Sequence, residues 1–417
     1  SFANTGNINV SAGTVYMDTY SGSGTWTNTS TVGKGIAVSG GVLNLGDSFN
    51  ASALGNIAQT GGTVNLTGTM TLDQATNNLS SPGLTGLVIN NGTIIGGGNT
   101  LTANAGFALS SSNGTLNNVT LATDLAVNGS TYLVNGLTLA QNATTLNNAT
   151  VTINGSYLFY TGSQTLGGTG NVVFGGGSTS FLYHNGAAAT LTVGSGITVS
   201  GSGTSTAIFG WDSGDTINFQ GTLNANVASK NWYLGSFANT GNINVSAGTV
   251  YMDTYSGSGS WTNTSTVGKG IAVSGGVLNL GDSFTATGIG RITRSGGSIN
   301  ITGALDNTGQ TLDIGAAGAF GAGGLTSLTG TITNGTLVSN DGTLFNTPSG
   351  TLDGVTIGSN LGFTGGYAYI FNHLLLSNGI TVNKGSTEWY FRSGGTQNVA
   401  MVSGTATINN AGGGTYA

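Results

Sequence analysis

Two aspartates in one short stretch are the residues whose types and spacing come closest to a reactive site. Asp212 and Asp215 lie in the sequence Gly-Trp-Asp-Ser-Gly-Asp, directly after Trp211. Two carboxylates about 5–10 Å apart can hydrolyse a glycosidic bond, and carboxylate oxygens can also hold Ca²⁺. An aspartate in a turn more commonly caps local backbone N–H groups. We favour the turn interpretation and keep Asp212 and Asp215 as the candidates for polysaccharide cleavage or calcium binding.

The other ionisable side chains offer little further chemistry. Charged residues make up 5% of the chain and the net charge is −6, whereas charged residues are about 25% of a typical soluble domain. The chain has no cysteine, and its two histidines, His184 and His373, have no second ligand at metal-binding spacing. We therefore predict no cofactor, no metal site and no enzymatic activity. No basic run suits nucleic acid, and no apolar run approaches the ~20 residues of a membrane span.

Several aromatic residues recur because part of the chain is duplicated. Residues 1–49 reappear at 236–284 with one change, Thr25 to Ser260. The repeat predicts two continuous copies, residues 1–235 and an incomplete second copy, residues 236–417. The recurring aromatic side chains can stack on sugars or on a neighbouring molecule, but we favour packing in the core or at corners. These candidate surface or assembly residues are Tyr16, Tyr20, Trp26, Tyr251, Tyr255 and Trp261.

Short stretches of alternating apolar and polar residues supply the elements that must position these side chains. Examples are residues 63–66 (Thr-Val-Asn-Leu) and 190–193 (Thr-Leu-Thr-Val), and glycine or Asn-Gly turns separate such stretches. This pattern is typical of short β-strands. The open-ended repeat favours an all-β parallel β-helix, or β-solenoid, over a string of antiparallel sandwich domains. We expect an elongated rod of roughly 17–20 coils, at about 20–25 residues each.

Three stretches carry a resemblance to known proteins. Gly114–Leu121 (GTLNNVTL), Val134–Leu139 (VNGLTL) and Gly162–Gly177 (GSQTLGGTGNVVFGGG) are similar to repeats of large secreted bacterial proteins. These are the adhesin-like and autotransporter-like parallel β-helix proteins, in the style of filamentous haemagglutinin. The resemblance implies a right-handed β-helix located outside the cell, at the bacterial surface.

Together these observations predict an extracellular structural or adhesive protein, a repeat segment of a surface fibre or filament. We expect its partners to be further copies, joined end to end or side to side, and cell-surface or matrix polysaccharide. Two alternatives remain open. One is a β-helix protein that binds or cleaves polysaccharide, and the other is an ice-binding solenoid with rows of outward threonines.

Overall fold

A computed structural model describes residues 1–19, 23–186, 188–211, 214–392 and 397–410. The protein is all-β, with 53% strand and almost no helix, and its parallel sheets stack as a β-solenoid of about 17 turns. The predicted fold class and coil number are therefore confirmed. The chain divides into two compact units, Ser1–Ile208 and Phe209–Ala417. The boundary of the sequence duplication, at residues 235 and 236, lies within the second unit and does not coincide with the boundary between the units.

Each turn of the solenoid uses two or three short strands. The first unit, together with the strand that contains the boundary, has the following strands: β1 Phe2–Asn4, β2 Asn7–Val10, β3 Thr14–Met17, β4 Trp26–Asn28, β5 Gly35–Val38, β6 Val42–Leu45, β7 Ser48–Asn50, β8 Ile57–Gln59, β9 Thr63–Leu66, β10 Thr69–Thr71, β11 Thr76–Asn78, β12 Gly86–Asn90, β13 Thr93–Ile95, β14 Thr100–Thr102, β15 Ala108–Ser112, β16 Thr115–Ala122, β17 Leu125–Val127, β18 Thr131–Leu139, β19 Thr150–Asn154, β20 Tyr157–Thr161, β21 Gln164–Gly168, β22 Gly170–Gly175, β23 Ser180–His184, β24 Thr190–Val193, β25 Ile197–Gly201 and β26 Ala207–Phe209.

The second unit continues the same organisation. Its strands are β27 Thr216–Phe219, β28 Thr222–Ala225, β29 Asn231–Leu234, β30 Phe237–Asn239, β31 Asn242–Val245, β32 Thr249–Met252, β33 Thr262–Asn263, β34 Gly270–Val273, β35 Val277–Leu280, β36 Ser283–Thr285, β37 Ile292–Arg294, β38 Ser298–Ile301, β39 Ala304–Asp306, β40 Thr311–Asp313, β41 Ser327–Leu328, β42 Thr331–Thr333, β43 Thr336–Val338, β44 Phe345–Asn346, β45 Ser349–Ile357, β46 Leu361–Thr364, β47 Tyr367–Leu376, β48 Thr381–Asn383, β49 Glu388–Phe391, β50 Val399–Met401 and β51 Thr407–Asn409. One short 3₁₀-helix lies in each unit, at Ala51–Leu54 and at Thr287–Ile289.

The core consists of inward side chains that stack from one turn to the next. In the second unit Trp232, Val250, Leu278 and Ile299 occupy one such ladder, since each is the register partner of the next. All four are buried. The alternate residues face outward, as the period-2 pattern predicts. Burial of these apolar ladders, at about 25 cal/mol per Å², is the main stabilising term of each turn.

Asparagine side chains join successive turns at the outer surface and at corners. Asn65 Nδ2 donates to Asn44 Oδ1, and Asn300 Nδ2 donates to Asn279 Oδ1, both at 2.9 Å. Such a bond links equivalent positions of neighbouring coils, so it fixes the parallel register. At Asn-Gly corners the asparagine adopts a left-handed conformation where the chain turns, as at Asn113 (φ 59°) and Asn334 (φ 61°).

Candidate functional site

A pair of aspartates that stacking brings together lies at one corner of the second repeat copy. Asp253 follows β32 and Asp282 follows β35, and these strands are paired with Met252 opposite Leu280. Glycine is required between them, because a Cβ at Gly281 would lie 2.9 Å from Asp253 Cβ. The two carboxyl groups are therefore neighbours on successive turns, although nearly thirty residues separate them in sequence.

The environment of this pair changes its acid–base chemistry. Burial, followed by the hydrogen bond and the charge of Asp282, raises the pKa of Asp253 to about 6. The backbone N–H and the hydroxyl group of Thr254 donate to Asp282 Oδ2, at 2.7 and 2.6 Å. Ionising two adjacent carboxyl groups together is unfavourable, so the proximity of Asp282 favours the protonated form of Asp253.

Four aromatic rings form a connected group on the side of Asp253, which lies near Tyr233. We call these four rings and the two aspartates the tyrosine corner cluster. The rings of Tyr233 and Tyr251 stack with centroids 4.7 Å apart, and Tyr255 meets Tyr233 edge-on at 5.0 Å. Trp211 lies 5.1 Å from Tyr255. Burial, with the nearby Tyr251, Tyr255 and Asp253, raises the pKa of Tyr233. Tyr255 is 48% exposed, so the cluster offers both ring surface and carboxyl oxygens at the protein surface.

The same residues of the first copy form a different environment. Asp18 is exposed, and the Thr19 hydroxyl donates to Asp47 Oδ2 at 2.5 Å. This hydrogen bond is the main cause that lowers the pKa of Asp47. Tyr16, the counterpart of Tyr251, is 66% exposed. The first copy therefore holds an open, solvated acidic corner where the second copy holds a shielded one.

The repeated tryptophans belong to the core rather than to the surface. Trp26 and Trp261 are both buried, and each indole N–H donates to a backbone carbonyl one coil away, that of Gly46 or Gly281. Each ring also packs against a phenylalanine, with centroids 4.3 Å apart for Phe49 and 4.5 Å apart for Phe284. The favoured interpretation of Trp26 and Trp261 as core wedges agrees with their burial. A role in surface contact does not agree with it.

Of the acid pair predicted from the sequence, the structure describes only Asp215, because Asp212 lies outside the described residues. The candidate surface residue Tyr20 also lies outside them. Asp215 is buried beside a cleft of about 330 Å³ that is also lined by Ser236, Phe237 and Trp261. Among the residues that the structure describes, no three His, Cys, Asp or Glu side chains are grouped so that they could hold a metal ion.

Both histidines accept hydrogen bonds from the backbone. The N–H of Gly162 donates to His184 Nε2 at 3.1 Å, and the N–H of Asn398 donates to His373 Nδ1 at 3.2 Å. Each imidazole nitrogen so engaged satisfies a main-chain donor of a nearby turn. This arrangement assigns the two residues a structural role at their positions.

The structure contains two further groups of packed aromatic side chains that were not predicted from the sequence. In the first unit Tyr157 stacks on Phe181 at 4.6 Å, with Phe159 and Tyr183 against them. In the second unit Arg392 lies over the rings of Tyr369 and Tyr390, at 5.3 and 5.6 Å. The available signal was the alternation itself, because in residues 157–161 and 180–184 the outward positions carry aromatic residues in place of Thr or Asn.

The geometry of the tyrosine corner cluster suits binding better than hydrolysis. Glycosidases keep their two carboxyl groups about 5–10 Å apart, so that a sugar carbon or a water molecule fits between them. Asp253 and Asp282 instead directly follow paired strands as neighbours on successive turns, and the proximity of Asp282 contributes to the raised pKa of Asp253. Exposed tyrosine faces and edges, together with polar groups beside them, can contact the apolar and hydroxyl faces of a sugar.

No helix within the described ranges is long and apolar enough to cross a membrane. Comparison of the chain with protein-family models, with curated proteins and with solved structures gave no match.

Proposed function

We propose that the chain is a structural and adhesive β-solenoid, a repeat segment of a bacterial extracellular surface fibre, without catalytic activity. The observation that carries the proposal is that one 49-residue sequence builds the same coils twice. Asn4 Nδ2 donates to Asn28 Oδ1 at 2.8 Å, and their counterparts Asn239 and Asn263 do the same at 2.8 Å. A coil that depends only on its neighbours can be repeated without redesign, so duplication adds length.

The location and the bacterial origin rest on the resemblance of the Gly114–Leu121, Val134–Leu139 and Gly162–Gly177 stretches to secreted adhesin-like proteins. A low content of charge and a surface of Thr, Ser and Asn side chains agree with a protein that works through extent and contact. These features support the proposal and are shared with other long solenoids, so the test must address assembly directly.

Electron microscopy of chains that carry one, two and three 235-residue repeats tests the fibre role. Each repeat adds about ten turns at about 4.8 Å, so we expect particles that lengthen by roughly 48 Å per repeat at constant width. Equal increments, and ends that join at high concentration, would support the proposal. Particles that thicken instead of lengthening would refute it.

Polysaccharide binding is a second candidate, and the tyrosine corner cluster favours it. Its rings are partly exposed and lie beside carboxyl groups, so a neutral glycan would meet less repulsion there than an acidic one. Affinity electrophoresis in gels that contain a neutral or an acidic polysaccharide would measure this. Tyr255→Ala should abolish retardation by the neutral polymer. Tyr16→Ala, at an exposed tyrosine that stacks on no ring within the described part of the chain, should not. If both variants were still retarded by the neutral polymer, the tyrosine corner cluster would be excluded as the binding site.

Ice binding receives less support from the threonine rows. Thr69, Thr93 and Thr115 are register partners on successive turns. The outward residues two positions later are Thr71, Ile95 and Asn117, so a second, parallel row of threonines is interrupted. A flat two-dimensional array of hydroxyl groups is therefore incomplete on these turns, and we rank this function third.

A further inference from the structure

One loop of the first copy, residues 140–149, has features that a solenoid coil does not require. It leaves the coil after β18 and returns at β19, and Gln141 and Asn148 form an antiparallel bridge across its base. Leu146 has a left-handed φ of 58° and is 67% exposed. Such a φ is uncommon and strained for a residue other than glycine, and exposure of an apolar side chain to water adds a second cost. We call this segment the Leu146 loop.

The Leu146 loop is fixed to the solenoid by one buried amide. Asn142 is 5% exposed, and its Nδ2 donates to the backbone carbonyls of Ala103 at 2.8 Å and Ala122 at 2.9 Å. Its Oδ1 accepts two backbone N–H groups of the loop. The N–H of Leu146 donates to the Asn142 carbonyl at 2.8 Å. The exposed leucine is therefore held in one position by its support.

The second copy closes the equivalent coil without such a loop. β18 and β47 are equivalent strands, since each pairs with the strand that follows a matching Gly-Thr-Leu sequence, β16 or β45. Only residues 377–380 separate β47 from β48, whereas residues 140–149 separate β18 from β19. The fold therefore does not need the Leu146 loop, and its strained, exposed leucine calls for another explanation.

A cleft of about 180 Å³ opens beside the loop, and we call it the Asp124 cleft. It is lined by Asp124 and by Thr145 and Asn147, the residues on either side of Leu146. Asp124 is exposed and is the only charged residue of residues 74–211. Carboxylate and amide oxygens accept hydrogen bonds from an ammonium group, which has three N–H donors. The cleft therefore suits a primary ammonium group that is accompanied by a small aliphatic side chain to pack on Leu146.

The chain itself presents these two groups together, in a turn that occurs twice. Residues 31–34 and 266–269 both read Thr-Val-Gly-Lys, and we call each the Val-Gly-Lys turn. The lysine N–H donates to the threonine carbonyl at 3.0 and 3.1 Å, and the glycine has the positive φ that its place in the turn requires, 78° and 82°. The valines are 95% and 83% exposed, and both lysines are exposed. The other lysines of the chain, Lys230 and Lys384, are buried.

We propose that the Val-Gly-Lys turn of one chain docks side to side at the Asp124 cleft of a second copy. The ammonium group of Lys34 or Lys269 contacts the Asp124 carboxylate, and the neighbouring valine packs on Leu146. An exposed ion pair is weak by itself, but a fibre carries many such turns, and simultaneous contacts raise the overall affinity. This inference rests on the proposed self-association and names a lateral contact for it.

Zero-length carbodiimide cross-linking of an equal mixture of isotopically light and heavy chains tests the proposal. The reagent joins a carboxyl group to an amine in contact with it, and mass spectrometry of mixed-isotope fragments identifies links between chains. We expect mixed links from Asp124 to Lys34 or Lys269. Leu146→Ser should reduce their yield at least about fivefold. Leu344→Ser, at a leucine that is 56% exposed, is the matched control and should leave the yield unchanged.

A charge exchange tests the ion pair separately. Asp124→Lys chains, and chains with both Lys34→Asp and Lys269→Asp, should each lose the links when alone, because like charges then meet. An equal mixture of the two should regain links between chains at these positions. Mixtures that remain unlinked would overturn the ion pair.

Three results would overturn the contact as a whole. They are links found only within a chain, links from the two lysines mainly to other carboxyl groups, and an unchanged yield in Leu146→Ser. Chains that lengthen as expected in electron microscopy but lack these links would refute the lateral contact and leave the fibre role intact. Particles that thicken and carry the links would refute the fibre role alone, so failure of the two proposals can be distinguished.

Discussion

The segments 1–49 and 236–284 differ at one residue, yet the same side chains meet different surroundings. Phe2 is 52% exposed, whereas Phe237 is 1% exposed. Asp18 is exposed, whereas Asp253 is partly buried, and this burial together with the neighbouring Asp282 raises its pKa to about 6. The internal contacts of the segment, such as the tryptophan packing on phenylalanine, are the same in both. A coil therefore specifies its own path, but its neighbour decides its burial and its electrostatics.

The largest expected effect concerns the stability contributed by the phenylalanine that the preceding turn covers in the second copy. Phe237→Ala should destabilise its region by about 3–5 kcal/mol, because it removes a fully buried ring between the rings of Phe219 and Phe209. Phe2→Ala should cost about 1 kcal/mol or less, since its ring is already half in solvent. Denaturant unfolding followed by hydrogen exchange at each segment would measure both. Equal losses of unfolding free energy in the two variants would mean that coverage by a preceding turn does not increase the contribution of this phenylalanine.

A smaller effect is expected from the glycines at the acidic corners. A Cβ at Gly281 would lie 2.9 Å from Asp253 Cβ and 3.0 Å from the Met252 carbonyl oxygen. Gly281→Ala should cost about 1–3 kcal/mol, because the shielded Asp253 has little room to move. At Gly46 a Cβ would lie 2.8 Å from Asp18 Cβ, and a Cβ moves only with its own backbone, so Gly46→Ala should cost a similar amount. The same unfolding assay compares the two, and a neutral effect at either glycine would contradict this account.

The acid pair should also give the second copy a distinctive pH dependence. The pKa of Asp253 is about 6 in the folded protein, above its unfolded value, so the protonated form favours folding. That contribution is complete below about pH 4 and is lost as the pH rises through 6. With allowance for solvent screening it amounts to about 1–2 kcal/mol.

Thermal unfolding between pH 4 and 7 measures this contribution. Asp253→Asn should flatten the pH profile. Asp47→Asn, at the first-copy aspartate whose pKa is lowered by the Thr19 hydrogen bond, should leave the slope of the profile unchanged over that window. A steeper pH profile in the Asp253→Asn variant would show that a group other than Asp253 causes the pH dependence of stability.

The smallest expected effect concerns an asparagine ladder. Asn244 donates to Asn224 on the preceding turn, whereas its counterpart Asn9 lies on an edge strand and is exposed. Asn244→Ala should cost about 1 kcal/mol, the net worth of one hydrogen bond, and Asn9→Ala should cost almost nothing. Hydrogen exchange at neighbouring amides would resolve the difference, and a larger loss for Asn9→Ala would argue against the ladder.

Sequence reasoning succeeded where the signal is local. The alternation in residues 63–66 and 190–193 predicts strands, and both stretches are strands in the structure, β9 and β24. The interpretation of Trp26 and Trp261 as core wedges also fits the structure. The pairing of Asp253 with Asp282 was not foreseen, because coil length varies and the sequence does not state which residues become neighbours across turns.

The sequence by itself determined that this chain forms short strands with inward aliphatic residues, that turns occur at glycine and asparagine, and that one segment is used twice. These properties depend on residue type and on spacing of two, which act within a few residues. Only the tertiary structure decided which face is covered, which aspartates become neighbours and which tyrosines stack. Those outcomes depend on the register between turns, where a contact joins residues twenty to thirty positions apart.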